Sequence, residues 1–436
     1  MSDAPPAVDV RRWIDDRPLG RFQISVAVLC GAIVFLDGFD ALIMGYVAPA
    51  LSAQFHLANG ALVPVLTFGL VGMALGALMF GPLADRIGRR PVLLICPIIF
   101  GIGSLLVARA DSVTEILVFR LITGFGMGGA MPNAIALTAE YMPRRRRAFA
   151  VTTMFCGFSL GSAAVGWVAA AVIPPFGWPA VFVIGGILPC LITAVAYGLL
   201  PESIRFLLRR KPGDPSARRS LARIAPDAPS GPLIIEEERR GGFPVAALFA
   251  GGRHWLTLLL WVMFFANLLD LYFVNSWMPK IMKDVGMPEG RAIVITTLFQ
   301  VGGSVGALVI GRLFDRNLSF RVLALGYLIA AVCVFLIGES TSTVWLIAMV
   351  FASGFGVVGA QNGANAMAAE VYPTEARSTG VGWALGIGRI GSILGPVLGG
   401  MLVGATPRLF MYAAVPLMLA ATAALVASVV GKERST

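Results

Sequence analysis

Charge is scarce in this chain. Only 13% of its 436 residues are Asp, Glu, Lys or Arg, against about 25% in an average soluble domain. With 57% of the residues hydrophobic, a soluble globule could not hide that much apolar surface. Histidine is nearly missing too. His56 and His254 stand apart, and neither joins a nucleophile or a ligand cluster, so enzymatic activity, a cofactor and a metal site are not expected. The five cysteines, Cys30, Cys96, Cys156, Cys190 and Cys333, fall singly in apolar runs. They have no disulfide or metal-ligand spacing and read as small packing residues. No cleavable leader is expected either: residues 1–21 are charged and contain proline. The first apolar run is therefore expected to act as an uncleaved insertion signal.

What is abundant is long apolar sequence. Twelve stretches reach the roughly 20 residues that a membrane-spanning helix needs. They lie near 22–51, 61–83, 91–108, 115–138, 148–173, 178–200, 254–279, 291–311, 320–338, 343–367, 379–402 and 408–430. The 51 glycines suit close helix packing in lipid, where small residues let backbones approach. The fold class is all-α and polytopic.

The net charge of +10 is explained by topology. On one side the loops hold only Arg109, Lys280, Lys283, Arg291 and Arg408; Arg120 and Arg389 lie inside spans, and the remaining Lys and Arg fall on the opposite side. Positive residues stay inside, so both termini are expected in the cytoplasm of an inner-membrane protein, and no nucleic-acid partner is called for. The one long polar stretch, 201–253, reads as a cytoplasmic linker with short amphipathic helices. It separates a six-helix half at 22–200 from another at 254–430, with 1–21 and 431–436 as cytoplasmic ends.

The halves are related by a shift of 230 residues. It carries Asp37 and Asp40 onto Asn267 and Asp270, and Gly81, Asp85 and Arg86 onto Gly311, Asp315 and Arg316. It also carries Gly124, Gly126, Glu140, Pro143 and Arg147 onto Gly354, Gly356, Glu370, Pro373 and Arg377. One offset matching separated landmarks marks a duplication.

Ionised groups inside spans are costly and so point to function. Asp37 and Asp40, three apart, share a helix face. Two neighbouring carboxylates in low dielectric raise each other's proton affinity, as a proton carrier requires. A buried polar network that only holds helices together is the alternative. Arg120 lies about five residues from its helix end, so snorkelling and pairing with an anion both stay open. Arg389, in Gly386-Ile-Gly388-Arg389-Ile-Gly391, is mid-span. A guanidinium there suits a carboxylate substrate, or a permanent salt bridge to an acid such as Asp270.

Gly81-Pro-Leu-Ala-Asp85-Arg86-Ile-Gly88-Arg89-Arg90 follows the second span, and Gly311-Arg-Leu-Phe-Asp315-Arg316 the eighth. This motif and the 6 + 6 repeat resemble the major facilitator superfamily over nearly the whole chain from Phe22. The resemblance implies two six-helix domains, alternating access, and a latch at the inner gate built from Gly81, Asp85, Arg86, Arg90, Gly311, Asp315 and Arg316. Glu140 with Arg147 and Glu370 with Arg377 look like further gate elements. Arg120, often an arginine in that superfamily, is implied in proton coupling or helix stability.

Leu36-Asp37-Gly38-Phe39-Asp40, followed by Gly45 and Ala48-Pro49-Ala50-Leu51, resembles the aromatic acid:proton symporter family. In that family the two aspartates are required for transport, and an arginine is similar in position to Arg389. The expected function is proton-driven import of a hydroxybenzoate-like carboxylate. Asp37, Asp40 and Asp270 are the proton-coupling candidates, and Arg389 and Arg120 are the anion-binding ones. An aromatic ring needs apolar walls, which Tyr272, Phe273, Trp277 and Trp383 can supply. Asn133, Gln361, Asn362 and Asn365 can supply hydrogen bonds. Substrate sites in repeat transporters lie near the bilayer midplane. The partners are then the aromatic acid, protons and lipid, with a monomer sufficient. The alternatives are a symporter for another organic anion or a sugar, for which Pro201-Glu202-Ser203 is a weak sign, and a non-transporting membrane sensor.

Overall fold

The computed structural model describes residues 8–211, 213–225, 231–234, 246–249, 252–284, 286–316, 320–339, 342–372, 377–402 and 409–432. Twelve of its helices are long and apolar enough to cross a membrane. They are α1 (Arg21–Phe55), α2 (Asn59–Ile87), α3 (Arg89–Val107), α4 (Val113–Tyr141), α5 (Arg144–Phe176) and α6 (Pro179–Leu199). Then come α7 (His254–Asp284), α8 (Glu289–Arg316), α9 (Phe320–Gly338), α10 (Thr343–Val371), α11 (Arg377–Leu402) and α12 (Leu409–Lys432). Their outward faces are apolar: Leu78, Phe176 and Met401 are each about three-quarters exposed, as side chains facing hydrocarbon must be.

Local chemistry sets the ends. Ser112 caps α4 by accepting from the Glu115 N–H at 3.3 Å, and the Glu115 carboxylate accepts back from the Asp111 N–H at 3.0 Å; together these form a reciprocal cap. Gly177, with φ of 76°, closes α5 by donating its N–H to the Ile173 carbonyl, the left-handed terminator that glycine supplies. Between Leu199 and His254 lie the short helices Ile204–Arg210, Pro215–Ile224 and Ala246–Phe249. Pro215–Ile224 buries Ala217 and Leu221 while exposing its arginine-bearing face. A two-residue parallel ladder pairs Val8–Asp9 with Leu233–Ile234.

The duplication is one of contacts. A Cβ on Gly161 would strike the Phe35 carbonyl, and one on Gly391 would strike the Phe265 carbonyl; Gly76 stands in this way to Phe125 and Gly306 to Phe355. Each pair maps onto its counterpart by the 230-residue shift, so the same helix crossings, α1 on α5 and α7 on α11, are built twice.

The chain divides into two compact units, with one boundary inside the linker and others within α1, α2 and α5. One comprises 1–41, 71–161 and 179–239, the other 42–70, 162–178 and 240–436. The later part of α1 and of α5 and the first part of α2 pack within the second unit. There Gly45 abuts the Asn275 carbonyl, Gly166 the Thr297 hydroxyl and Gly400 the Val63 side chain.

Candidate functional site

The first unit carries the most concentrated buried charge. Asp37 and Asp40 of α1 are 3% and 0% exposed, and Arg120 of α4 is 4% exposed. Arg120 does not snorkel. Its Nη1 donates to both Asp40 oxygens, at 2.9 and 3.1 Å, a buried ion pair. Asp37 shares the helix face of Asp40 one turn earlier. Packing requires the glycine between them, since a Cβ on Gly38 would overlap the Phe158 backbone. The acids can therefore sit only where α1 touches α5 backbone to backbone. Asn133 donates to the Gly129 carbonyl one turn back at 2.8 Å, so its amide NH₂ is bound to its own helix.

At the basic end of this unit Glu140 and Arg90, two residues expected at a gate, join a connected cluster. The Glu140 carboxylate pairs with Arg89 and accepts from the Ser203 hydroxyl at 2.6 Å. Glu202 Oε1 accepts the N–H groups of Arg89, Arg90 and Ser203 at 2.9, 3.1 and 2.7 Å, and so caps α3 from a distant segment. Burial pushes the Glu202 carboxyl above the ordinary glutamate range, against the pull of those N–H groups and of the Arg90 charge. Gly88 stands beside that carboxylate with φ of 105°, and a Cβ would strike it. Arg90 donates to the Tyr197 carbonyl at 2.6 Å. Arg147 pairs with Asp15 at 3.4 Å, not with Glu140. Gly81 is half-buried, and Asp85 and Arg86 are exposed. Glu202, Ser203 and Arg89 were not foreseen as site residues. The signal present was Pro201-Glu202-Ser203 directly after an apolar run, with a serine able to cap the next helix.

The second unit contrasts. Asp270 of α7 is fully buried, and neither oxygen has a hydrogen-bond partner among the described residues. The Arg389–Asp270 pair left open by the sequence is thus not formed. Arg389 is half-buried on α11. Asn267 donates to Gln361 Oε1 at 2.6 Å, and Gln361 donates to Asn365 at 3.4 Å. Asn362 donates to the Val358 carbonyl at 3.0 Å. Asn275 and Gln300, not singled out from the sequence, are joined at 2.8 Å. Of the aromatics, Trp277 is fully buried and donates to the Pro396 carbonyl at 2.9 Å. Tyr272 and Phe273 are buried beside it in sequence, whereas Trp383 is 43% exposed and stacks on Trp261 at 5.8 Å. Gly311 and Glu370 are exposed; the side chains of Asp315, Arg316 and Arg377 lie outside the described ones.

The sequence and the fold have counterparts in known proteins. The family model described as Major Facilitator Superfamily matches residues 29–268 and 260–436. The chain belongs to that superfamily. It is 41% identical over 429 residues to the gallate transporter of Pseudomonas putida, covering 97% of this chain and 95% of the relative. To the 4-hydroxybenzoate transporter PcaK of the same organism it is 42% identical, covering 91% and 90%. To the benzoate transport protein of Acinetobacter baylyi strain ADP1 identity is 32%, covering 91% and 87%. The fold matches the crystal structure of a bacterial homologue of the human lysosomal transporter Spinster, with a TM-score of 0.72, 17% identity, and 94% and 98% coverage. The superfamily member described here is a membrane transporter, not an enzyme, and sits among transporters of aromatic acids.

Proposed function

We propose that this protein imports a hydroxybenzoate-like aromatic carboxylate together with protons across the inner membrane, by alternating access, as a monomer with both termini in the cytoplasm. The observation that carries the proton-coupled part is the buried Arg120–Asp40 pair one helical turn from Asp37. An ion pair removed from water holds both charges in place. A proton arriving on Asp40 cancels its charge and releases the Arg120 guanidinium, which then needs another anion. The substrate carboxylate is proposed as that anion, and Arg389 is proposed separately as an anion-binding guanidinium of the second half. Proton and substrate thereby enter as a charge-balanced pair, and loss of the proton re-forms the ion pair and expels the acid. Asp37 and Asp270 are proposed as further proton sites, and the Glu140–Arg89–Ser203–Glu202 cluster as the inner gate of the first half. The aromatic substrate class rests on the gallate, 4-hydroxybenzoate and benzoate transporters among the relatives.

The test is uptake of radiolabelled 4-hydroxybenzoate into proteoliposomes under an imposed pH gradient. Accumulation should collapse with a protonophore and be competed by gallate or benzoate but not by glucose. Uptake indifferent to the protonophore would remove the coupling, and competition by glucose alone would move the substrate to sugars.

A further inference from the structure

Residues 8–16 precede the first span, and the transport reading gives them no part. They are nevertheless built into the first unit. Val10, Trp13 and Ile14 are 3%, 9% and 3% exposed and share one apolar cluster with Ala217, Leu221 and Leu233. The ladder of Val8–Asp9 with Leu233–Ile234 fixes the start of the segment. Asp9 accepts the Arg11 N–H at 2.9 Å and so caps the helix Val10–Asp15. Arg17 closes the other end: its guanidinium lies 3.7 Å from the Trp13 ring centroid and donates to the Trp13 carbonyl at 3.0 Å.

What this docking presents is Asp15. Its Oδ1 accepts the Arg144 N–H at 2.6 Å and lies 3.4 Å from the Arg147 Nη2. Arg144 is the first residue of α5. The first N–H groups of a helix have no partner within it, and a carboxylate there supplies an acceptor and meets the positive end of the helix dipole. α5 is thus capped from 129 residues away, by a segment that leads directly into α1. The two helices meet again at the buried acids. A Cβ on Gly38, Gly157 or Gly161 would strike the carbonyl of Phe158, Gly31 or Phe35, so α1 and α5 touch backbone to backbone with no side chain to absorb a shift. Gly38 lies between Asp37 and Asp40, and Asp40 is held by Arg120. At about 1.5 Å per residue, Arg144 stands about 21 Å along α5 from Phe158. A rigid helix carries a displacement over that distance.

We propose that Asp15 is a positioning residue for the Asp37–Asp40–Arg120 site. By holding the first turn of α5, it sets how α5 seats against α1 and so how the two acids are surrounded. The functional half of this inference rests on the proton-coupled reading; the seating of α5 does not.

The experiment pairs two measurements on the full-length protein: amide hydrogen exchange by mass spectrometry, and the pH profile of 4-hydroxybenzoate uptake into proteoliposomes. Asp15→Ala should speed exchange across residues 144–161 of α5 and leave α6 at the wild-type rate. Its uptake profile should move along the pH axis by about one unit, the spread that surroundings impose on carboxylates in proteins. Asp15→Asn keeps an oxygen for the Arg144 N–H and drops the pairing with Arg147, so its profile should move less. Asp16→Ala, at the exposed neighbouring position, should match wild type in both measurements. If Asp15→Ala melts early, Arg147→Gln carries the test: it leaves the Arg144 cap in place and should move the profile by less than one unit. Uptake lowered by one factor at every pH would mark a merely structural role and overturn the proposal. Wild-type exchange in α5 of Asp15→Ala would overturn it too, as would an equal effect of Asp16→Ala. Wild-type uptake that ignores pH would instead remove the proton-coupled reading, and the positioning role with it; faster exchange in Asp15→Ala would then mark the cap alone.

Discussion

Asp40 and Asp270 occupy equivalent places in the two halves, and their surroundings differ completely. Asp40 has Arg120 at hydrogen-bond distance, whereas Asp270 has no partner for either oxygen among the described residues. The 230-residue shift explains why: the counterpart of Arg120 is Val350, fully buried in α10. Asp37 has likewise become Asn267, which turns to Gln361, where the first half has Met131. Duplication kept the helix positions and let the chemistry diverge. A carboxylate with a cation beside it can stay ionised in the protein interior, while one without pays the full cost of desolvation. The first half thus holds a buried ion pair at this position, and the second holds none among the described residues.

The sharpest way to break this contrast is to remove the cation. Arg120→Gln should strand the Asp40 charge and cost about 3–5 kcal/mol, read as a large fall in melting temperature together with loss of uptake. Arg120→Lys should also be damaging, since the residue is paired rather than snorkelling. Adding Asp40→Asn to Arg120→Gln should recover most of the stability and none of the transport. A single Arg120→Gln protein melting like wild type would show that the pair carries no weight in the fold.

Next come the acids themselves. Asp37→Asn and Asp40→Asn, made separately, should each abolish accumulation driven by a pH gradient. Wild-type accumulation in both would end the proton-carrier role. Arg389→Lys should weaken binding of the aromatic acid by about thirtyfold, the loss of about 2 kcal/mol that a charged hydrogen bond supplies. Unchanged affinity in a folded Arg389→Lys protein would rule out direct carboxylate clamping.

Glu202 gives a pH signature. Its carboxyl is raised by burial, so the folded state binds the proton more readily than the unfolded one. Its contribution is full at low pH and is lost as pH rises from the ordinary glutamate range through the raised one. A melting series should show wild type losing stability relative to Glu202→Gln across that window; parallel curves would contradict it. The smallest effect is expected at Asp270→Asn. No partner is lost, so stability should change by less than about 1 kcal/mol, checked by thermal melt. A large fall would reveal a partner that the contrast with Asp40 denies.

Much of this was legible in the sequence. Spans are one-dimensional objects, and twenty apolar residues announce themselves, so all twelve were found within a few residues. The repeat was legible because one offset aligned Asp40, Asp85 and Glu140 with their counterparts. The burial of Asp37 followed from its place within the first apolar run. What could not be read were partnerships across distance. Arg120 meets Asp40 from 80 residues away, and Glu202 caps α3 from 113 residues away. Neither spacing has a period to detect. Trp277 shows the limit of residue type: an indole suits a ring-binding wall and a helix contact equally, and only the Pro396 carbonyl at its N–H tells where it is engaged.

The Glu140–Ser203 contact sets an order of events during synthesis. Glu140 emerges from the ribosome 63 residues before its hydroxyl partner. At about 5–20 residues per second, the end of α4 waits about 3–13 seconds for Ser203. The α3 terminus waits longer, since Arg89 precedes Glu202 by 113 residues. During that interval the nascent helices hold a cluster of charges at the membrane surface with the carboxylate cap of α3 still unmade. The first half is locked only when the short segment after α6 arrives, so a chain stopped before residue 201 should insert its helices yet remain open to proteolysis at the α2–α3 turn.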